Sequence, residues 1–126
     1  MLLGKRIGVV GSRVFGNYQQ LATTLTNIIN DGDSLVSGGA VGADSMAQRY
    51  AKDVGLEITI FYPNYVRLGK GATFARNKQI VEHSDIVLAF YAKGRFQIGG
   101  TSNTIYWCKQ LGVPYFEYEE ELVSEK

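Results

Sequence analysis

Three short loops hold the residues whose types and spacing suit chemistry. Gly11-Ser12-Arg13 follows the apolar run Ile7-Gly8-Val9-Val10. Ser37-Gly38-Gly39-Ala40-Val41-Gly42-Ala43-Asp44 follows Leu35-Val36, and Gly99-Gly100-Thr101-Ser102 follows a later apolar run. Each loop leaves a predicted strand and opens towards a predicted helix, where α/β proteins present backbone N–H groups to phosphates. Gly11 permits a tight exit from the strand, Ser12 offers a helix cap or a phosphate donor, and Arg13 supplies a charged planar fork. Gly38 and Gly39 clear space for a ligand against the backbone. Gly42 and Ala43 let a helix begin close to the sheet. Asp44 falls in the first turn of that helix, where it either complements the helix dipole or accepts ribose hydroxyls. Arg76-Asn77 adds a cation that reaches for a phosphate and an amide suited to a base or sugar.

Other catalytic signals are few. His83 is the one histidine and falls at a helix end, away from the loops. Cys108 shares an apolar helical spacing with Ile105 and Leu111, which makes it a core residue. No Cys, His or carboxylate cluster has metal-ligand spacing, so no protein metal site is expected, and no cofactor is specified. Asp44 is left as the catalytic candidate if the chain is an enzyme. The glycine spacing is not that of the dinucleotide fingerprint, and the second loop lacks a Walker lysine.

The elements that must position these loops follow from periodicity. Strands are predicted at 5–10, 34–37, 57–61, 85–91 and 113–118. Helices are predicted at 18–30, 41–54, 74–83 and 101–111, with Gly55 and Gly112 as stops. The stretch 62–73, with Pro63, Gly69 and Gly71, reads as a long loop carrying Tyr65, Arg67 and Lys70, in effect a lid. Regular β-α alternation over 126 residues implies a single Rossmann-like domain. Its parallel sheet has the order 3-2-1-4-5, helices on both faces, and a ligand cleft at the switch point.

The net charge is +1, but five glutamates against one lysine in 115–126 make an acidic tail from about 117 and leave the rest basic. That basicity is too thin for avid DNA binding. No apolar run nears the roughly 20 residues of a membrane helix. The start of the chain does not read as a signal peptide, and one cysteine fits a reducing cytoplasm. Phe15, Tyr18, Tyr62, Tyr65 and Phe96 lie at or near the rim and are available to stack on a base. Tyr106 and Trp107 cannot both be buried if Ile105, Cys108 and Leu111 face the sheet. A homodimer or higher oligomer built on that helix is therefore expected, unless Trp107 leans onto the acidic tail.

Gly11-Ser12-Arg13, Ser37-Gly38-Gly39-Ala40 with Gly42-Ala43-Asp44, Arg76-Asn77 and Gly100-Thr101 resemble the motifs of the SLOG superfamily. The similarity runs from about Lys5 to Phe116 and points to the small YpsA-related branch whose domain begins with a Gly-Ser-Arg loop. The resemblance implies a Rossmann-like fold that binds nucleotides or their derivatives, often as an oligomer. More distant relatives are the Lonely guy phosphoribohydrolases and the DNA-processing protein DprA. Lonely guy enzymes carry a catalytic glutamate after their Gly-Gly-x-Gly-Thr loop, whereas Thr101-Ser102-Asn103-Thr104 has no carboxylate. The expectation is therefore a nucleotide-binding sensor or carrier. The alternatives are a nucleotide or N-glycosidic hydrolase and a single-stranded nucleic-acid binder.

Overall fold

The computed structural model describes residues 4–122. Five strands, β1 (Arg6–Gly11), β2 (Ser34–Ser37), β3 (Ile58–Ile60), β4 (Ile86–Tyr91) and β5 (Tyr115–Glu119), form one sheet. Every strand pair is parallel and the order is β3-β2-β1-β4-β5. This is a Rossmann-like α/β fold, and the strand order matches the expectation from sequence.

The central strands are apolar on both sides because both faces are covered. Ile7, Val9, Leu35, Leu88 and Phe90 point into one core, under α1 (Tyr18–Ile28) and α2 (Ala43–Val54). Val10, Val36, Val87, Ala89 and Tyr91 point into the other, under α4 (Ala72–Glu82) and α5 (Thr101–Leu111). The two-residue period of a strand thus divides adjacent positions such as Val9 and Val10 between two cores.

Helix limits follow local chemistry. The Asn17 side chain accepts from the Gln20 N–H at 3.0 Å and caps α1. That helix stops at Ile28 because Ile29 adopts extended backbone before a turn. Buried Asp33 holds this turn, accepting from the Asn30 N–H at 2.9 Å and the Lys5 N–H at 2.7 Å, and pairing with Lys5 Nζ at 3.1 Å. Gly55 and Gly112 close α2 and α5 in the left-handed conformation.

Two expectations are corrected. The stretch 62–73 is not a plain loop. It contains α3 (Tyr65–Leu68), whose first turn is capped by Asn64, then a 3-10 turn at Gly69–Gly71 and the start of α4. Leu111 does not face the sheet: it is 43% exposed, one step past the buried Ile105 and Cys108. Trp107 is half-buried against α4, with Lys78 Nζ 5.0 Å from its ring centre.

The acidic segment begins inside β5 and then stitches. Glu120 accepts from the Gly16 N–H at 2.9 Å and the Lys93 N–H at 3.3 Å, and Glu119 accepts from the Gly94 N–H at 2.9 Å. The Asn17 side chain donates to the Glu121 carbonyl at 2.9 Å. The segment therefore ties the loop after β1 to the loop after β4. Residues 123–126, the remainder of the expected tail, lie outside the described residues.

Candidate functional site

The three glycine loops meet at the C-terminal edge of the sheet. Gly11 abuts the Phe90 carbonyl, and a Cβ there would also stand 2.7 Å from the Ala43 side chain. Ser12 holds this junction. Its N–H donates to the Phe90 carbonyl at 2.9 Å, its hydroxyl oxygen accepts from the Ala92 N–H at 3.0 Å, and its carbonyl accepts from the Ala43 N–H at 3.3 Å. Ser12 therefore joins β1, β4 and α2 and does not cap α1, which begins six residues later under Asn17. Gly42, at φ +78°, is packed directly against the Ser12 and Arg13 carbonyls. Arg13 itself is exposed and faces the cleft.

The second loop is built around two buried charges. Arg76 Nη1 donates to the Gly38 carbonyl, and Arg76 Nε donates to Asn77 Oδ1 at 3.0 Å. Asn77 Nδ2 donates to Asn103 Oδ1 at 3.1 Å. The sequence reading put Arg76-Asn77 at the start of a helix. Because α4 begins at Ala72, Arg76 instead lies a full turn in and reaches back across the sheet edge. A Cβ on Gly38 would stand 2.8 Å from Arg76 Nη1 and 2.9 Å from Asp44 Oδ2, so glycine is what lets both groups crowd this loop. Asp44 Oδ2 accepts from the Ala40 N–H at 3.2 Å.

Burial raises the Asp44 carboxyl from its ordinary 3.8 to about 6, against the pull of the Ala40 N–H and the Arg76 charge. Ser37 is the next neighbour that favours the ionised form. Its single hydroxyl hydrogen is engaged at 2.6 Å by the Val9 carbonyl, so it gives the carboxylate little relief. Burial also pushes the Arg76 guanidinium below its usual range, and Asp44 opposes that shift.

The third loop is the most open. Lys93 to Gly100 is exposed, Gly99 has φ +96°, and Gly100 precedes the first residue of α5. The Gly99, Gly100 and Thr101 N–H groups donate to no acceptor among the described residues, as is usual at a helix start. They border a cleft of about 420 Å³, whose wall also includes Gly11, Arg13, Asp44 and Asn77. That volume falls within the roughly 300–1,000 Å³ of small-molecule sites.

A second hollow of about 420 Å³ opens on the far side of the second loop, lined by Gly38, Gly39, Tyr62, Pro63 and Tyr65. Arg13, Ala40 and Arg76 belong to both. The two spaces together bring in Gly11, Ser12, Arg13, Gly38, Gly39, Ala40, Asp44, Arg76, Asn77, Gly99, Gly100 and Thr101, whereas Gly42, Ala43, Arg67, Lys70 and Phe96 line neither.

Wall residues not singled out from the sequence include Arg95 and Ile98 on the exposed third loop and Phe74 in α4. Asn103, off the wall, orients Asn77 from α5. Arg95 was the one with a visible signal, a second arginine just ahead of a Gly-Gly-Thr loop.

Asp44 is the one carboxylate on either wall. His83 ends α4 and lines neither hollow. Buried Cys108 has its thiol pushed up to about 11 by desolvation. No group of three or more His, Cys, Asp or Glu side chains is placed to hold a metal among the described residues. No helix among them is long and apolar enough to cross a membrane. No protein-family model, curated protein or solved structure matches this chain.

Proposed function

We propose that this chain binds a nucleotide or nucleotide derivative, as a sensor or carrier, with the ligand's anionic group between the Gly11-Ser12-Arg13 and Gly38-Gly39-Ala40 loops. One observation carries the reading. Three glycine loops, two of them flanked by arginines shared between adjoining hollows, converge where parallel α/β sheets hold ligands. The N–H groups of Gly99 to Thr101, unpaired among the described residues, add donors suited to a further anionic oxygen. The SLOG-like motifs in the sequence support the same class of ligand and a homodimer or higher homo-oligomer, and the single cysteine supports a cytoplasmic protein.

Binding is favoured over turnover because the cleft has one carboxylate and the start of α5 has none. Hydrolysis is the second reading, and Asp44 favours it. A carboxyl near 6 exchanges a proton readily at neutral pH, as a general acid or base must.

The test is a thermal-shift screen of 5′-mononucleotides, nucleoside diphosphates and a single-stranded oligonucleotide, followed by chromatography of the recovered ligand. A raised melting temperature with intact nucleotide supports the carrier. Release of base or phosphate supports the hydrolase. A shift with the oligonucleotide alone, or with nothing, overturns the proposal.

A further inference from the structure

Tyr62 and Tyr65 are exposed aromatic residues of the second hollow, and exposed Phe74 lines the main cleft. Phe15 is buried in the core, and Tyr18 packs against that core below. Tyr62 instead projects from the end of β3 and is 66% exposed, yet one side of its ring is fixed. Its Cε1 and Cδ1 atoms stand 2.5 and 2.7 Å from where a Cβ on Gly39 would be. Gly39 has φ +74°, a conformation that suits glycine, and Ile60 packs at the same point. The missing side chain is thus the seat of the tyrosine ring. The rest of the ring faces the second hollow.

That hollow and the main cleft differ in their polar groups. The cleft wall carries apolar Val14, Phe74 and Ile98, but also hydroxyls, Asp44 and backbone N–H groups without an acceptor among the described residues, which suit phosphate oxygens and sugar. The hollow has two phenol rings, a proline and the apolar Val41, and its only charges are the arginines at its border with the cleft. A planar, weakly polar group fits the hollow, and an anion attached to that group would meet Arg13 at the border.

We propose that the hollow between Gly39 and Tyr65 is the base subsite of this protein, in which a nucleobase stacks on Tyr62 while its phosphate lies at Arg13. This rests on the nucleotide reading above and assigns the two ends of the ligand. It makes Gly39 a specificity residue at one remove, since any larger residue there would unseat Tyr62.

The test compares AMP, GMP, CMP and UMP with ribose 5-phosphate by titration calorimetry on the full chain and on Tyr62→Ala and Tyr62→Phe. Losing one base–aromatic stack weakens binding by roughly 5- to 150-fold. Tyr62→Ala is expected to weaken the tightest-binding mononucleotide by that factor and leave ribose 5-phosphate unchanged. Tyr62→Phe, which keeps the ring, is expected to bind like wild type. Equal weakening of the mononucleotide and ribose 5-phosphate, or no weakening of either, overturns the base subsite and leaves the nucleotide reading standing. Failure of wild type to bind any of the four mononucleotides overturns the base subsite, and failure to bind the corresponding nucleoside diphosphates as well overturns both. Tyr62 is exposed, so its removal is not expected to unfold the chain, and circular dichroism of each variant checks this.

Discussion

Asp44 gives the sharpest quantitative test. The residue is 6% exposed, and its carboxyl titrates near 6 in the folded chain, against 3.8 for an ordinary aspartate. Between those values the folded state keeps a proton that the unfolded state has released. Stability therefore falls as pH rises through this window, by about 1.4 kcal/mol per pH unit. Over the whole interval the loss is about 3 kcal/mol, complete just above pH 6 and flat beyond. The side chain is nearly inaccessible, so solvent screening takes little from this figure. Asp44→Asn keeps an oxygen to accept the Ala40 N–H and removes the titration. Urea unfolding from pH 4 to 8 should show wild type losing about 3 kcal/mol relative to the variant across the window. Asp33, whose carboxyl is held low by its hydrogen bonds and by Lys5, contributes the opposite slope at lower pH. It does so equally in both proteins, so the difference isolates Asp44. Parallel curves for wild type and Asp44→Asn would refute the argument. The refutation would mean that water or rearrangement of Arg76 solvates the carboxylate after all.

The remaining predictions concern the loops and the surface. Arg13→Ala should weaken nucleotide binding roughly 10- to 100-fold by calorimetry, the worth of one charge-assisted contact. Gly42→Ala places a side chain on the Ser12 and Arg13 carbonyls at φ +78°, and should cost about 3 kcal/mol or more in urea unfolding. Gly55→Ala has similar φ but meets nothing within 4 Å, and should cost only about 1–2 kcal/mol. Hydrogen exchange in 62–73 should slow when a saturating nucleotide is added, and equal exchange would count against closure of this segment. Light scattering should report a dimer for wild type and a monomer for Trp107→Glu. A monomeric wild type ends the oligomer reading, and a dimeric variant moves the interface off α5.

The sequence told most where a single local rule governs. β2 and α5 have the limits read from periodicity and glycine stops, and alternating elements with right-handed crossovers led to the strand order. It told least where two signals compete. Pro63, Gly69 and Gly71 argue for a loop, but Asn64 supplies a cap that outweighs them for one turn of α3. In the site, glycine loops and arginines were legible because their chemistry is local. The engagement of Ser12 with Ala92, 80 residues away, was not, since it depends on which strand lies beside β1. The same holds for Asn103, which has a role only through Asn77 on a neighbouring helix.

The stitching by Glu119 to Glu121 has a consequence for the order of assembly. Glu120 reaches the Gly16 N–H across 104 residues, so the first cleft loop is synthesised long before its tether. A contact so distant in sequence closes late in folding, because its loop entropy is offset only once the intervening strands are paired. A nascent chain that has made β1 to β4 and α5 already contains all three glycine loops, yet two of them are still unfastened. If the proposed nucleotide binding holds, competence for it arrives with β5, as a final step that does not build up gradually along the chain.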